Sequence, residues 1–390
     1  MHLLFATSIV PDGALASGYE IANAAIIDAL RRAGARVTVA GFIWPGKAAS
    51  DPENTIVLGA IDVRTENASP RQKLAWVAKA MLSGLTFASV KLRVLSDSEV
   101  RAAIERAGPF DGYVLNSVQF AGAFERLFDD RPSIFVAHNV EHRSAQENAA
   151  AAGGLFQRLL FAREARLLKT MEERLCRRAR FVFTLAEEDR SALGVASDDR
   201  SAVLPLVTRT SAPTKKAPRR IDCDAALIGT WTWQPNRIGL DWFLEKVVPH
   251  LRPNFRIRIA GNMPSGVTST HPGVEFVGRV PDAQAFVLGA AVIPLISTAG
   301  SGVQLKTIET FELGLPSVAT SRSLRGIDHR PANCVVSDDA AEFAGALEAA
   351  AADVRDVDGS AFHHRQVNAL DAAIRLGLEK LGPVRQEVLA

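Results

Sequence analysis

Cysteine is scarce in this chain of 390 residues: Cys176, Cys223 and Cys334 are the three present, far apart and without paired spacing. That scarcity excludes a disulfide framework and a cysteine-built zinc site, and it fits a reducing compartment. Long apolar runs are missing as well. No segment approaches the roughly 18 to 20 apolar residues needed to cross a bilayer. The opening MHLLFATSIVPDG has neither a basic lead nor a small-residue cleavage site, so it reads as a first core strand rather than an export signal. Net charge is low too, and a formal value of +2 leaves no broad basic footprint for nucleic acid. Internal repeats and low-complexity tracts are not evident. The expectation is a cytoplasmic protein that touches a membrane only through a local patch.

What is present is length and alternation. A chain of 390 residues, 47% apolar and 23% charged, exceeds what one hydrophobic core supports and favours two domains. Short apolar strands alternate with amphipathic helical stretches, the pattern of parallel sheets with helix crossovers. Leu3 to Ile9 reads as a strand, Gly18 to Ala33 as a helix stopped by Gly34, and Arg36 to Ala40 as the next strand. Further strands are expected at Gly112 to Leu115, Ser133 to Ala137, Arg180 to Thr184 and Ala202 to Leu206. The polar, proline-bearing stretch TRTSAPTKKAPRR, Thr208 to Arg220, reads as a linker or hinge. Alternation then restarts with strands at Ala225 to Gly229, Phe255 to Ala260, Val274 to Val277, Ala291 to Leu295 and Pro316 to Thr320, and a helix at Gly239 to Leu251. The alanine-rich Phe343 to Ala351 and the helix Asn368 to Leu381 follow. The expected layout is therefore α/β, two Rossmann-like doubly wound domains facing across a cleft. Residues 1–207 form the first, 208–221 the linker and 222–370 the second, and a C-terminal helix in 371–390 is able to cross back to the first.

The most informative stretch is AGSGVQLKTIE, Ala299 to Glu309, lying between an apolar strand and a helix. A glycine-rich turn there leaves backbone N–H groups at the positive end of a helix dipole, where phosphate settles. Lys306 adds a point charge, and Glu309, one turn on, offers a carboxylate to vicinal hydroxyls such as those of a ribose or sugar. Together they suggest a nucleoside diphosphate carrying a sugar. Rival readings stand beside this one: a tight loop with no ligand, or a helix-surface ion pair between Lys306 and Glu309 worth about 0.2 to 0.5 kcal/mol.

Several strings occur in a fixed order: HNVEHR after a strand, GTWTWQPN opening the second half, VEFVGRV, then GSGVQLKTIE followed by GLPSVATS. In that order the chain resembles the GT-B glycosyltransferases, specifically the retaining enzymes of glycosyltransferase family 4 (group 1), over most of its length. The resemblance implies that the Gly302 backbone approaches the donor pyrophosphate, that Lys306 meets a phosphate oxygen and that Glu309 binds the ribose. It implies that His138 faces the donor sugar, that Gly18 belongs to the turn closing over the diphosphate, and that Gly278, Arg279 and Val280 touch the base. Gly229, Ser301, Val303 and Gln304 complete the donor-binding set. The catalytic residues implied are His138, Lys306 and Glu309, with no metal and no cofactor beyond a UDP- or GDP-linked sugar donor. Two positions depart from the pattern. Ser301 stands where many members have a second glutamate, and Gln304 where a large subgroup has an arginine, so one phosphate charge is missing and Arg237 is the expected substitute.

The implied activity is transfer of a hexose to a saccharide, with the acceptor attacking from the leaving-group face. A non-catalytic sugar-nucleotide-binding protein, or a subunit of a glycan-assembly complex, is the second reading. A third is a zinc peptidase, because His138, Glu141 and His142 spell H-x-x-E-H; that signature needs one helix under both histidines, whereas SIFVA reads as a strand ending at His138. Trp231 and Trp233 fit hinge or core packing as well as stacking on a ligand. The segment Gly154 to Arg180 carries eight basic against three acidic side chains among leucines and phenylalanines, and a smaller basic stretch runs from Arg71 to Arg93. Such a helix lies on an anionic membrane or is a core helix with a solvated basic face. On the membrane reading the acceptor is a polyprenyl-linked saccharide in bacterial surface polysaccharide assembly, at the inner face of the cytoplasmic membrane.

Overall fold

A computed structural model describes residues 1–14, 17–65, 67–197, 199–213 and 219–382. The chain divides into two compact units: Met1–Pro205 together with the segment starting at Ala369, and Leu206–Asn368. The first holds a seven-stranded sheet of β1 (His2–Ile9), β2 (Arg36–Ile43), β3 (Thr55–Ala60), β4 (Gly112–Asn116), β5 (Ser133–Ala137), β6 (Phe181–Thr184) and β7 (Ser201–Val203). Their order is β3-β2-β1-β4-β5-β6-β7, and every pairing is parallel. The second holds six: β8 (Cys223–Thr230), β9 (Ile257–Asn262), β10 (Val274–Gly278), β11 (Ala290–Leu295), β12 (Ser317–Ala319) and β13 (Cys334–Val336). They run parallel in the order β10-β9-β8-β11-β12-β13. Both are doubly wound α/β sheets, as the alternation predicts.

Helices on both faces make central strands read as continuous apolar runs, and β5 and β11 are buried at every position. Between β1 and β2 the helix Gly18–Arg32 is started by a capping box, Ser17 accepting from Glu20 N–H and Glu20 reaching back to Ser17. It buries Ile26, Ile27 and Leu30 on one face, each contributing about 1.5 to 3 kcal/mol. Gly18 is thus the first residue of a helix rather than part of a glycine turn, and residues 15 and 16 beside it lie outside the described residues.

Four elements differ from the sequence expectation. Where one helix over Gly239 to Leu251 is expected, the structure has an α-helix Gln234–Trp242, a π turn Phe243–Val247 and a 3-10 turn Val248–His250. Pro235 suits a first helical turn and Pro249 has no N–H to continue one, which moves the start forward and breaks the end. Strand β3 is an edge strand, mostly solvated, so its apolar signal is weak; β13 has three residues. The last helix spans Gly359–Leu381, longer than expected. Its residues up to Asn368 belong to the second unit and those from Ala369 to the first, where Arg32 binds Asp371 and Gly377 fits against Phe183. Of the expected linker, 214–218 lie outside the described residues, as do 383–390 of the C-terminal segment. The described ends of the linker are fastened to the second unit: Thr208 N–H donates to Glu312, and Arg219 to Asp356 and the Leu288 and Ala290 carbonyls.

Candidate functional site

Both sheets reverse their strand order beside the first strand, between β1 and β4 and between β8 and β11. Diverging connections leave a crevice at the C-terminal ends of those strands, which is where ligands of doubly wound folds settle. In the second unit a cavity of about 670 Å³, including its mouth, opens there. Ile228 and Trp231 line it from β8 and the turn after it, Ile296 from the end of β11, and Gln304, Lys306 and Glu309 from the helix Leu305–Glu312.

Each wall is fixed by a local cause. Trp231 is buried, and its indole N–H donates to the Ala260 carbonyl at 2.8 Å. The Lys306 ammonium stands 5.3 Å from the Trp231 ring centroid, a cation–π contact. A Cβ on Gly229 would meet both Lys306 Nζ and the Trp231 ring at 3.0 Å, so glycine at the end of β8 is what lets the lysine lie against the indole. The loop from Ala299 turns through Gly300 at φ +92°, and Arg322 donates two hydrogen bonds, of 3.0 and 2.7 Å, to the Gly300 carbonyl. Ser323 Oγ donates to the Leu295 carbonyl and accepts from Ser297 N–H, which holds the exit of β11. Gln304 stands at the N-cap, yet its side chain turns to the Gly302 carbonyl rather than capping the helix. Thr307 N–H donates to the Gln304 carbonyl at 2.9 Å, and among the described residues the Leu305 and Lys306 N–H groups keep their capacity for an external acceptor.

The electrostatics follow from this packing. Protein surrounds the Lys306 ammonium and desolvation lowers its pKa to about 8, with Glu309 acting the other way. Water still reaches the side chain through the cavity mouth, so at neutral pH the ammonium stays largely charged. Among the described residues it forms no ion pair with Glu309, and the surface-pair reading of these two residues is not what the structure forms. Burial raises the Glu309 pKa; Arg209 opposes that, Glu312 adds to it and Lys306 opposes it. Glu312, one turn further, is fully buried and accepts from Thr208 N–H at 3.2 Å and from His363 at 2.9 Å.

The structure thus gathers Gly229, Ser301, Gly302, Val303, Gln304, Lys306 and Glu309 around one loop and cavity. It does not bring Arg237 there. That guanidinium pairs with Asp241 at 2.7 Å, one turn along its own helix, and is not part of the cavity wall. Gly278, at φ +68°, and Arg279 form an exposed turn after β10 with Val280, also away from the wall. The guanidinium at the loop is Arg322, which sequence reasoning missed; the quoted string GLPSVATS stops just short of it. Trp233 is exposed, whereas Trp231 is structural.

In the first unit His138 follows β5 and is buried. Burial lowers its pKa to about 4, so the imidazole is neutral. Asn116, at the end of β4, donates to Asn23 Oδ1 at 2.7 Å, and its Oδ1 lies 2.8 Å from His138 Nε2. An amide oxygen there requires Nε2 to carry the proton, which leaves Nδ1 as an acceptor. Thr7 and Tyr19, 2.7 Å apart, close the network under the same imidazole. The H-x-x-E-H string is split: His138 ends a strand, while Glu141 opens a helix on which His142 bonds Glu172 at 2.6 Å. The two histidines therefore serve different partners. Among the described residues no three His, Cys, Asp or Glu side chains group as metal ligands.

Residues 224–353, most of the second sheet and the whole cavity loop, match the family model described as Glycosyl transferases group 1. That stretch is similar to a glycosyl transferases group 1 domain. Solved structures agree with its fold. Sucrose-phosphate synthase from Thermosynechococcus elongatus is 16% identical over 98% of this chain and 98% of its own, with a TM-score of 0.61. Anabaena HepE in complex with UDP-glucose is 13% identical over 97% and 99%, with a TM-score of 0.59. The glycotransferase of kitacinnamycin is 17% identical over 98% and 99%, with a TM-score of 0.50. No curated protein matches the sequence. The two units thus have the fold of these glycosyltransferase structures, and the cavity loop lies inside the stretch that matches the group 1 model.

Proposed function

We propose that the chain is a retaining hexosyltransferase that takes the sugar from a nucleoside diphosphate donor. The observation that carries this reading is Lys306: a cation with no carboxylate partner among the described residues, on the first turn of an uncapped helix, facing a cavity at the strand-order reversal. Breaking a glycosyl phosphate bond builds negative charge on the departing diphosphate and oxocarbenium-like charge on the sugar. A preorganised ammonium with adjacent N–H groups lowers that barrier. Glu309, one turn along, suits the ribose hydroxyls as acceptor. Arg322, held at Gly300, is the guanidinium we assign to the loop charge that Gln304 does not supply. His138 is proposed for the donor sugar, its Nδ1 free to accept from a hydroxyl. HepE's complex with UDP-glucose supports a uridine donor, with a GDP-linked sugar as the other choice. The proposed acceptor is a saccharide, polyprenyl-linked in surface polysaccharide synthesis.

Donor cleavage and transfer by Lys306→Ala and Glu309→Ala test the reading. Loss of the Lys306 charge is expected to lower kcat roughly a hundredfold to a thousandfold, and loss of Glu309 to raise KM for the donor. Wild-type turnover and affinity in both variants contradict the assignment. Ser301 and Gln304 favour a second reading, binding without turnover, which calorimetry showing nucleotide binding but no cleavage with any acceptor would support.

A further inference from the structure

The helix Pro70–Ser83 is hard to account for by packing alone. Of its 14 residues one, Ala80, is buried. Helices of this length are marginal in water and draw their stability from an apolar face laid on something. Here that face is open: Leu74 is 70% exposed, Met81 55% and Leu82 91%. A second open face begins the helix Leu155–Arg178, where Leu155 is 75% exposed, Phe156 70% and Leu159 63%.

The two faces meet. Leu155, Leu159 and Arg163 are spaced four apart and share one side of their helix. Arg163 donates to the Ala80 carbonyl at 2.6 Å and to the Leu85 carbonyl at 3.2 Å, and Glu164 accepts from Phe87 N–H at 2.8 Å. The exposed leucines and phenylalanine therefore point along the side that reaches the end carrying Met81 and Leu82. Within these two stretches the exposed charge has one sign. No acidic residue occurs between Ala68 and Ser96 or between Asn148 and Arg163, while Arg71, Lys73, Lys79 and Arg158 are exposed. Glu164, beside Arg163, is buried and already bonded.

We infer that this patch of the first unit binds the surface of an anionic lipid bilayer, leucine and phenylalanine side chains entering the acyl boundary and the basic side chains meeting lipid phosphates. Exposed apolar anchors interleaved with exposed cations match that surface. A second copy of the chain fits poorly, because a two-fold contact through the patch would set basic residues against basic residues. The sequence suggests Gly154 to Arg180 and, as a smaller candidate, Arg71 to Arg93; exposure narrows these to the first two turns of the one and the helix Pro70–Ser83 in the other. Beyond Arg163, Glu172 is buried against His142, and Arg174 and Arg178 pair with Glu125, so that half belongs to the protein.

Flotation of the full chain with phosphatidylglycerol–phosphatidylcholine vesicles, beside phosphatidylcholine vesicles, tests the inference without reference to transfer activity. Binding is expected on the anionic vesicles alone and to weaken with salt. Two variants, Leu155→Ser/Phe156→Ser/Leu159→Ser and Arg71→Glu/Lys73→Glu/Arg158→Glu, are each expected to lose roughly a hundredfold in partitioning. Circular dichroism and melting temperature should match wild type, since every altered side chain is exposed. Three results overturn the inference: no flotation with anionic vesicles, equal flotation with neutral ones, or a dimer of the free chain that the leucine variant dissociates.

Discussion

Lys306 and His138 show how burial sets the chemistry of single residues in opposite senses. Around Lys306 the walls weaken but do not abolish the charge, so its ammonium is cheap to pair with an incoming anion. Around His138 they remove the charge. The pH consequence for His138 has a definite sign. An unfolded chain takes up this proton near 6.5 and the folded one near 4, so acidification across that window loads protons onto the unfolded chain. The contribution is full above pH 6.5 and is lost as pH falls toward 4, by an amount on the order of 3 kcal/mol. In urea melts across that range, His138→Gln is expected to flatten the acid slope relative to wild type; parallel slopes would show that the imidazole is not held neutral. The places of these residues in the fold were legible because strand, glycine turn and helix appear in order in the sequence. The failure of Arg237 was not legible. Whether a guanidinium reaches a phosphate or the aspartate four residues on depends on helix phase, and Pro235 sets that phase by starting the helix at Gln234.

At the level of elements, the cavity depends on a loop whose shape is fixed from outside itself. Gly300 needs its positive φ, and a Cβ there would stand 3.1 Å from Pro235. Arg322, more than 20 residues downstream, holds the Gly300 carbonyl from the far side. Charged hydrogen bonds of this kind contribute about 1.5 to 3 kcal/mol. Arg322→Met is therefore expected to weaken nucleotide binding at least about tenfold in calorimetry and to lower the melting temperature by a few degrees; unchanged affinity would show that the loop holds its shape unaided. Such a partnership is invisible to spacing, since nothing in the string SRS marks an arginine that folds back across a sheet edge. The strands were legible where both faces are buried, as in β5 and β11, and were missed where one face is wet, as in β3, because an edge strand loses the continuous apolar signal.

For the molecule as a whole, alternation and length were enough to give two doubly wound units, and strand order then places the cavity without further assumption. What neither length nor pattern reveals is the pinning of the second unit's ends: buried Glu312 collects Thr208 and His363, residues far apart in sequence, on the helix that carries Lys306 and Glu309. The central claim is that this helix and its glycine loop receive a nucleoside diphosphate. Calorimetric titration of UDP, GDP and ADP into wild type and Lys306→Ala, at pH values on either side of 8, tests it most directly. The account predicts saturable binding of one nucleotide by wild type, weakening as pH rises through about 8, and a variant that binds more weakly with no such step. Equal binding by the variant, or no binding of any nucleoside diphosphate by wild type, would contradict it.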